Sequence, residues 1–150
     1  MTRRSIYAVI VIFALIAVSG CAEASMKKRI ATDKAPSAGG PYSQAIQAGN
    51  FLFVAGQIPV NPATQTLNTG TIEEQTAQVM DNIKAILEAG GLSMANVVST
   101  TVYMKNIDEF SRMNVIYGKY FDEAPPARAT VEVSRLPRNI LIEISAIAVK

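Results

Sequence analysis

Glu143 is the one carboxylate in an otherwise uncharged, largely apolar run from Ile140 to Val149. A carboxylate so placed must be paired, hydrogen-bonded or protonated, because burying an isolated ion costs far more than a strand position contributes. Arg128 is its plausible partner. It stands in an alternating stretch with Arg128, Thr130, Glu132 and Ser134 on one face and Ala127, Ala129, Val131 and Val133 on the other. An arginine fork matches a carboxylate bidentately, and a glutamate in apolar surroundings has its pKa raised toward neutrality. Together they could hold a small carboxylic acid and activate a water beside it. By themselves they describe a structural ion pair equally well, since such networks also perturb pKa values.

Composition narrows the chemistry further. The 150 residues contain no histidine and one cysteine, Cys21. A serine or cysteine triad of the usual kind, a His-ligated zinc or iron site and a thiolate cluster are therefore excluded. Catalysis is left to Arg, Glu, Asp, Tyr, Lys, hydroxyls, backbone and water.

The elements that must position these residues are legible in the pattern. Ile140 to Val149 is apolar on both faces, which marks a buried central strand. A tight hairpin at Leu136 to Asn139 would set Arg128 and Glu143 on the same face. Its simplest register, however, places Glu132 opposite Glu143 and leaves Arg128 about 13 Å along the ladder. The two then meet only across a bulge, a shifted register or a subunit boundary. Upstream, Met26 to Thr32 predicts a first strand, Ala35 to Pro41 a loop, and Tyr42 to Gly49 with Phe51 to Gly56 a hairpin turning at Gly49 and Asn50. Thr71 and Glu74 form a capping box for a helix to about Ala89, ended by Gly90 and Gly91. Its apolar positions Ile72, Val79, Met80, Ile83, Ile86 and Leu87 share one face. Asn96 to Met104 is a strand. Asp108 is expected to cap a second helix whose Phe110, Met113, Tyr117, Tyr120 and Phe121 make a core stripe, stopped by Pro125 and Pro126. The expected fold class is α+β: two helices packed on one face of a mixed β-sheet.

The first segment does not belong to that core. Arg3 and Arg4 precede an apolar run from Ile6 to Val18 that ends in Ser19, Gly20 and Cys21, the order of a secretory signal. It resembles the leader of bacterial lipoproteins, which implies residues 1–20 as signal peptide, Cys21 as the lipidated residue and residues 21–29 as a short tether. Residues 30–150 form the domain. On this reading the protein is exported, periplasmic or held at the outer membrane by its lipid, and it becomes cytoplasmic if translation starts at Met26. Removing Arg3 and Arg4 takes the formal charge from +2 to zero. A neutral domain with 7% aromatics is a poor nucleic-acid binder.

Three segments carry a wider resemblance. PPARATVEVSRLP followed by LIEISAIAVK, GGPYSQAI (Gly39 to Ile46) and VAGQIPVNP (Val54 to Pro62) are similar, in the same order, to the signature of the Rid (YjgF) family of enamine and imine deaminases. The resemblance implies a chorismate-mutase-like (YjgF) fold assembled as a homotrimer, with sites at subunit interfaces and no cofactor. It implies hydrolysis of 2-aminoacrylate, 2-iminopropanoate and 2-iminobutanoate to 2-keto acids and ammonia, with Arg128 anchoring the carboxylate and Glu143 handling water. It also assigns substrate contacts to Tyr42, Gly56, Asn114 and Thr130. Asn114 would come from an adjacent subunit and Gly56 would offer a backbone amide. Thr130 departs from the cysteine that many members carry there. The rival expectation, raised by export away from cytosolic imines, is a non-catalytic extracytoplasmic binding protein for small carboxylates using the same Arg128 pocket. A third, ribonuclease or chaperone-like activity, has the neutral charge against it in its nucleic-acid form.

Overall fold

The computed structural model describes residues 27–122 and 124–150. The expected signal peptide (residues 1–20), the expected lipidation site Cys21 and Met26 lie outside the described residues.

Six strands form one mixed sheet: β1 (Lys28–Ile30), β2 (Ala45–Ala48), β3 (Phe51–Gln57), β4 (Val97–Met104), β5 (Ala127–Glu132) and β6 (Ile142–Val149), in the spatial order β1-β2-β3-β6-β4-β5. All neighbours are antiparallel except β4 and β5, which run parallel. A parallel pair needs a crossover, and the helix between β4 and β5 supplies it. The β2–β3 hairpin turns where Gly49 takes a φ of 59°, beyond the reach of most side chains.

Two helices cover one face. Helix α1 (Ile72–Ala89) begins at the expected capping box, with Thr71 N donating to Glu74 Oε2 at 2.8 Å. Its six apolar positions are all buried against β3, β6 and the second helix. Helix α2 (Phe110–Tyr117) is shorter than its apolar stripe, which continues through a 3-10 turn to Tyr120 and on to Phe121. Its cap also differs from expectation. Asn106, not Asp108, accepts a backbone N–H at the entry turn, because a 3-10 turn at Ile107–Glu109 precedes the helix.

The largest correction concerns the C-terminal strands. β5 and β6 are not hairpin partners, because β4 lies between them. Residues 133–141 wrap the end of β4, with Val133 N donating to Met104 O and Lys105 N donating to Leu141 O. The physical reason lies in the two patterns. β6 is apolar on both sides and takes the central slot, whereas β5, partly exposed throughout, can only be an edge. The helix-covered face buries Leu52, Val54, Val102, Met104, Ile142, Ile144, Ala146 and Ala148. Among the described residues no element covers the opposite face, and Phe51 and Phe53 stand on it 47% and 44% exposed.

Candidate functional site

Register fixes which way each candidate points. Arg128, Thr130 and Glu132 on β5 align with Thr100, Val102 and Met104 on β4, all three buried, so they face the helices. Glu143 on β6 aligns with Tyr103 and alternates with buried Ile142 and Ile144, so it faces the open side. Arg128 sits level with Thr100, itself level with Ala146, three residues from Glu143. Two strand spacings and three residues of rise separate their Cα atoms by about 14 Å. The expected common face is thus overturned: within one chain the pair occupies opposite faces, because β4 intervenes and sets a different alternation. Each residue has its own cavity.

The Arg128 cavity, about 490 Å³, is lined by Asn114, Tyr117, Phe121, Pro125 and Pro126 among others. The guanidinium is seated by rings rather than by a carboxylate. Its carbon lies 4.5 Å from the Tyr117 ring centroid and 5.4 Å from that of Phe110. Tyr117 is fixed in turn by a 2.7 Å hydrogen bond between its hydroxyl and that of Thr100, both side chains buried. Burial pushes the Tyr117 phenol up, while the Thr100 bond and the Arg128 charge pull the other way. Arg128 forms no ion pair among the described residues, so the N–H donors of its fork that do not reach the Tyr117 hydroxyl remain for a ligand. Two positions along the same face, Thr130 Oγ1 is buried without a hydrogen-bond partner. Such an orphaned hydroxyl is uncommon and calls for a group from outside the chain.

The Glu143 cavity, about 370 Å³, is lined by Tyr42, Ala55, Gly56, Ile58, Pro137 and Glu143. A bulge between Val54 and Gln57 breaks the β3–β6 ladder and opens the space into which Glu143 projects. Burial raises the Glu143 pKa, and among the described residues the carboxyl has no hydrogen bond or ion pair to oppose that. The walls are pinned from behind. Gln44 Nε2 donates to the carbonyls of Thr32, Ala35 and Pro36 and so holds the loop that delivers Tyr42. Asn82 Nδ2 on α1 donates to Ile58 O and Val60 O, at 3.1 and 3.0 Å.

Gly56 is required by space. A Cβ there would collide with the Glu143 carboxylate. Gly56→Ala is expected to cost only about 1 kcal/mol of stability, as the carboxylate can swing aside. Thermal unfolding checks this, and a loss of about 3 kcal/mol or more would refute it.

The six residues singled out from sequence thus form two groups: Arg128, Thr130 and Asn114 on one side, Glu143, Tyr42 and Gly56 on the other. Phe110 and Tyr117, which seat Arg128, were legible only as core. Their aromatic spacing is the helix-core signature, and nothing local reveals that the stripe's upper edge carries a cation.

Comparison with known proteins follows the same lines. The family model described as Endoribonuclease L-PSP matches residues 32–150. A RutC family protein of Pyrococcus horikoshii is 58% identical over 125 residues, covering 83% of this chain and 99% of that protein. An Escherichia coli protein named 2-iminobutanoate/2-iminopropanoate deaminase is 46% identical over 128 residues, covering 83% of this chain and 99% of its own. The solved structure of a Rid family protein from Yersinia pestis superposes with a TM-score of 0.81 at 48% identity, covering 83% of this chain and all of that one.

Proposed function

Because the chain belongs to the Rid/YjgF (L-PSP) family and has its chorismate-mutase-like fold, we propose that it is a homotrimeric deaminase hydrolysing small 2-imino acids. The single observation that carries this reading is the pairing of a counter-ion-free guanidinium with a desolvated carboxyl, each in its own cavity on opposite faces of one sheet. Two half-sites of complementary chemistry make one site when the open, apolar sheet face is covered by neighbouring copies. Phe51, Phe53 and Val131, all more than 40% exposed on that face, are suited to such burial.

In the composite site Arg128 of one copy grips the substrate carboxylate through two N–H donors. Glu143 of the next copy, ionised, takes a proton from a water as its oxygen attacks C2 of the imine. The resulting carbinolamine receives that proton on nitrogen from the Glu143 carboxyl. The hydroxyl proton then passes by way of Glu143 to that nitrogen as the C–N bond breaks, leaving the 2-keto acid and ammonia. An enamine substrate first gains a proton from water at C3 and loses one from nitrogen, which gives the imine. The Gly56 backbone and the hydroxyls of Tyr42 and Thr130 offer the remaining polar contacts.

The test is release of ammonia from 2-iminopropanoate generated in the assay, together with sedimentation analysis of the assembly. Stabilisation by pyruvate without ammonia release would instead leave a carboxylate-binding protein. The acid limb of kcat/KM should follow the base. Its pKa is raised by burial, so the ionised form is lost, and activity falls, at a pH above the ordinary glutamate range. A pH–rate profile with its acid limb at or below that range would exclude Glu143 as the base.

A further inference from the structure

The turn between β5 and β6 carries a cation that the proposed chemistry does not use. Arg138 and Asn139 both adopt left-handed backbone, with φ of 55° and 61°. Non-glycine residues take this conformation at a cost, and such strain concentrates at binding sites. The turn is held in place: Asn139 Oδ1 accepts from Lys105 Nζ at 2.9 Å, and Ile140 N donates to Pro137 O at 3.4 Å. Arg138 itself is exposed and has no hydrogen bond or ion pair among the described residues.

Arg138 lines a cavity of about 350 Å³ that adjoins the Glu143 cavity. Tyr42, Gly56 and Ile58 line both, and Pro137, next to Arg138 in the chain, lines the Glu143 side. Among the described residues no carboxylate lines this second cavity, and Arg138 is its single charged group. Three glutamines in its wall are already engaged, Gln44 with loop carbonyls, Gln57 with Ala55 O and Gln65 with Pro62 O. The charged donors there belong to Arg138.

A guanidinium without a counter-ion, between neutral walls, takes an anion, and its planar fork suits a carboxylate. A substrate whose C2 lies beside Glu143 can extend its side chain past Gly56 and Tyr42 into this space. We infer that Arg138 is a specificity-determining residue that binds a second, side-chain carboxylate, so that the site favours dicarboxylic 2-imino acids such as 2-iminoglutarate over 2-iminopropanoate. This deepens the deaminase reading above and rests on it.

The experiment compares kcat/KM for 2-iminoglutarate and 2-iminopropanoate, each generated in situ by an amino-acid oxidase, in the native protein and in Arg138→Gln. One charge-assisted pair in a partly open site is expected to give the native protein about a tenfold preference for 2-iminoglutarate. Arg138→Gln should remove that preference through KM while leaving 2-iminopropanoate within about twofold. No preference in the native protein, or an equal loss on both substrates, overturns the inference. If the folded native protein turns over neither substrate, the deaminase reading falls and ligand stabilisation decides the role of Arg138. A larger rise in Tm with 2-oxoglutarate than with pyruvate, lost in Arg138→Gln, supports it. Equal rises overturn it.

Discussion

Arg128→Ala should abolish ammonia release from 2-iminopropanoate, lowering kcat/KM by about 10³-fold, while the protein stays folded. Two charge-assisted hydrogen bonds to the substrate carboxylate, each worth about 1.5–3 kcal/mol, set that scale. The expected stability change is much smaller. Arg128 has no ion pair to break among the described residues and loses only its contacts with the Phe110 and Tyr117 rings, about 0.5–1 kcal/mol each. A structural role predicts the reverse. Removing one member of a buried ion pair costs about 3–5 kcal/mol of stability and leaves turnover in whatever protein remains folded. Measuring Tm and kcat/KM on the same preparation separates the two cases. Arg128→Lys should recover only part of the activity, since an ammonium keeps the charge but not the fork.

Glu143→Gln should also be nearly inactive by itself, yet equal co-expression of Arg128→Ala and Glu143→Gln subunits should restore about one quarter of native activity if each site joins two neighbouring copies. The fraction follows from chance. A site is intact when its arginine comes from a Glu143→Gln subunit and its glutamate from an Arg128→Ala subunit, each with even odds. If both residues act within one chain, no mixed assembly contains an intact site and activity stays near zero. The structure makes this the sharper test, because β4 separates the pair by about 14 Å and places them on opposite faces. Size-exclusion chromatography coupled to light scattering on the mixed sample confirms that assemblies form before the rate is read.

The alternation around Arg128, the isolation of Glu143 in an apolar strand and the Thr71–Glu74 capping box are local features, carried by periods of two or 3.6 residues and by cap chemistry. They were legible in the sequence for that reason. The helix from Ile72 to Ala89 matches its expected span, and the α+β class follows from the order of elements. The relation between Arg128 and Glu143 was not legible, because pairing between strands is a tertiary choice. Two successive apolar strands with a short connection look like a hairpin, and only competition for the central slot puts β4 between them. The bulge that opens the Glu143 cavity, the ring seat of Arg128 and the unpaired hydroxyl of Thr130 are likewise decided by packing between distant segments. The sequence by itself determined which groups could do chemistry; the tertiary structure decided that one chain holds them apart on opposite faces, because burying β6 on both sides leaves β5 only the edge.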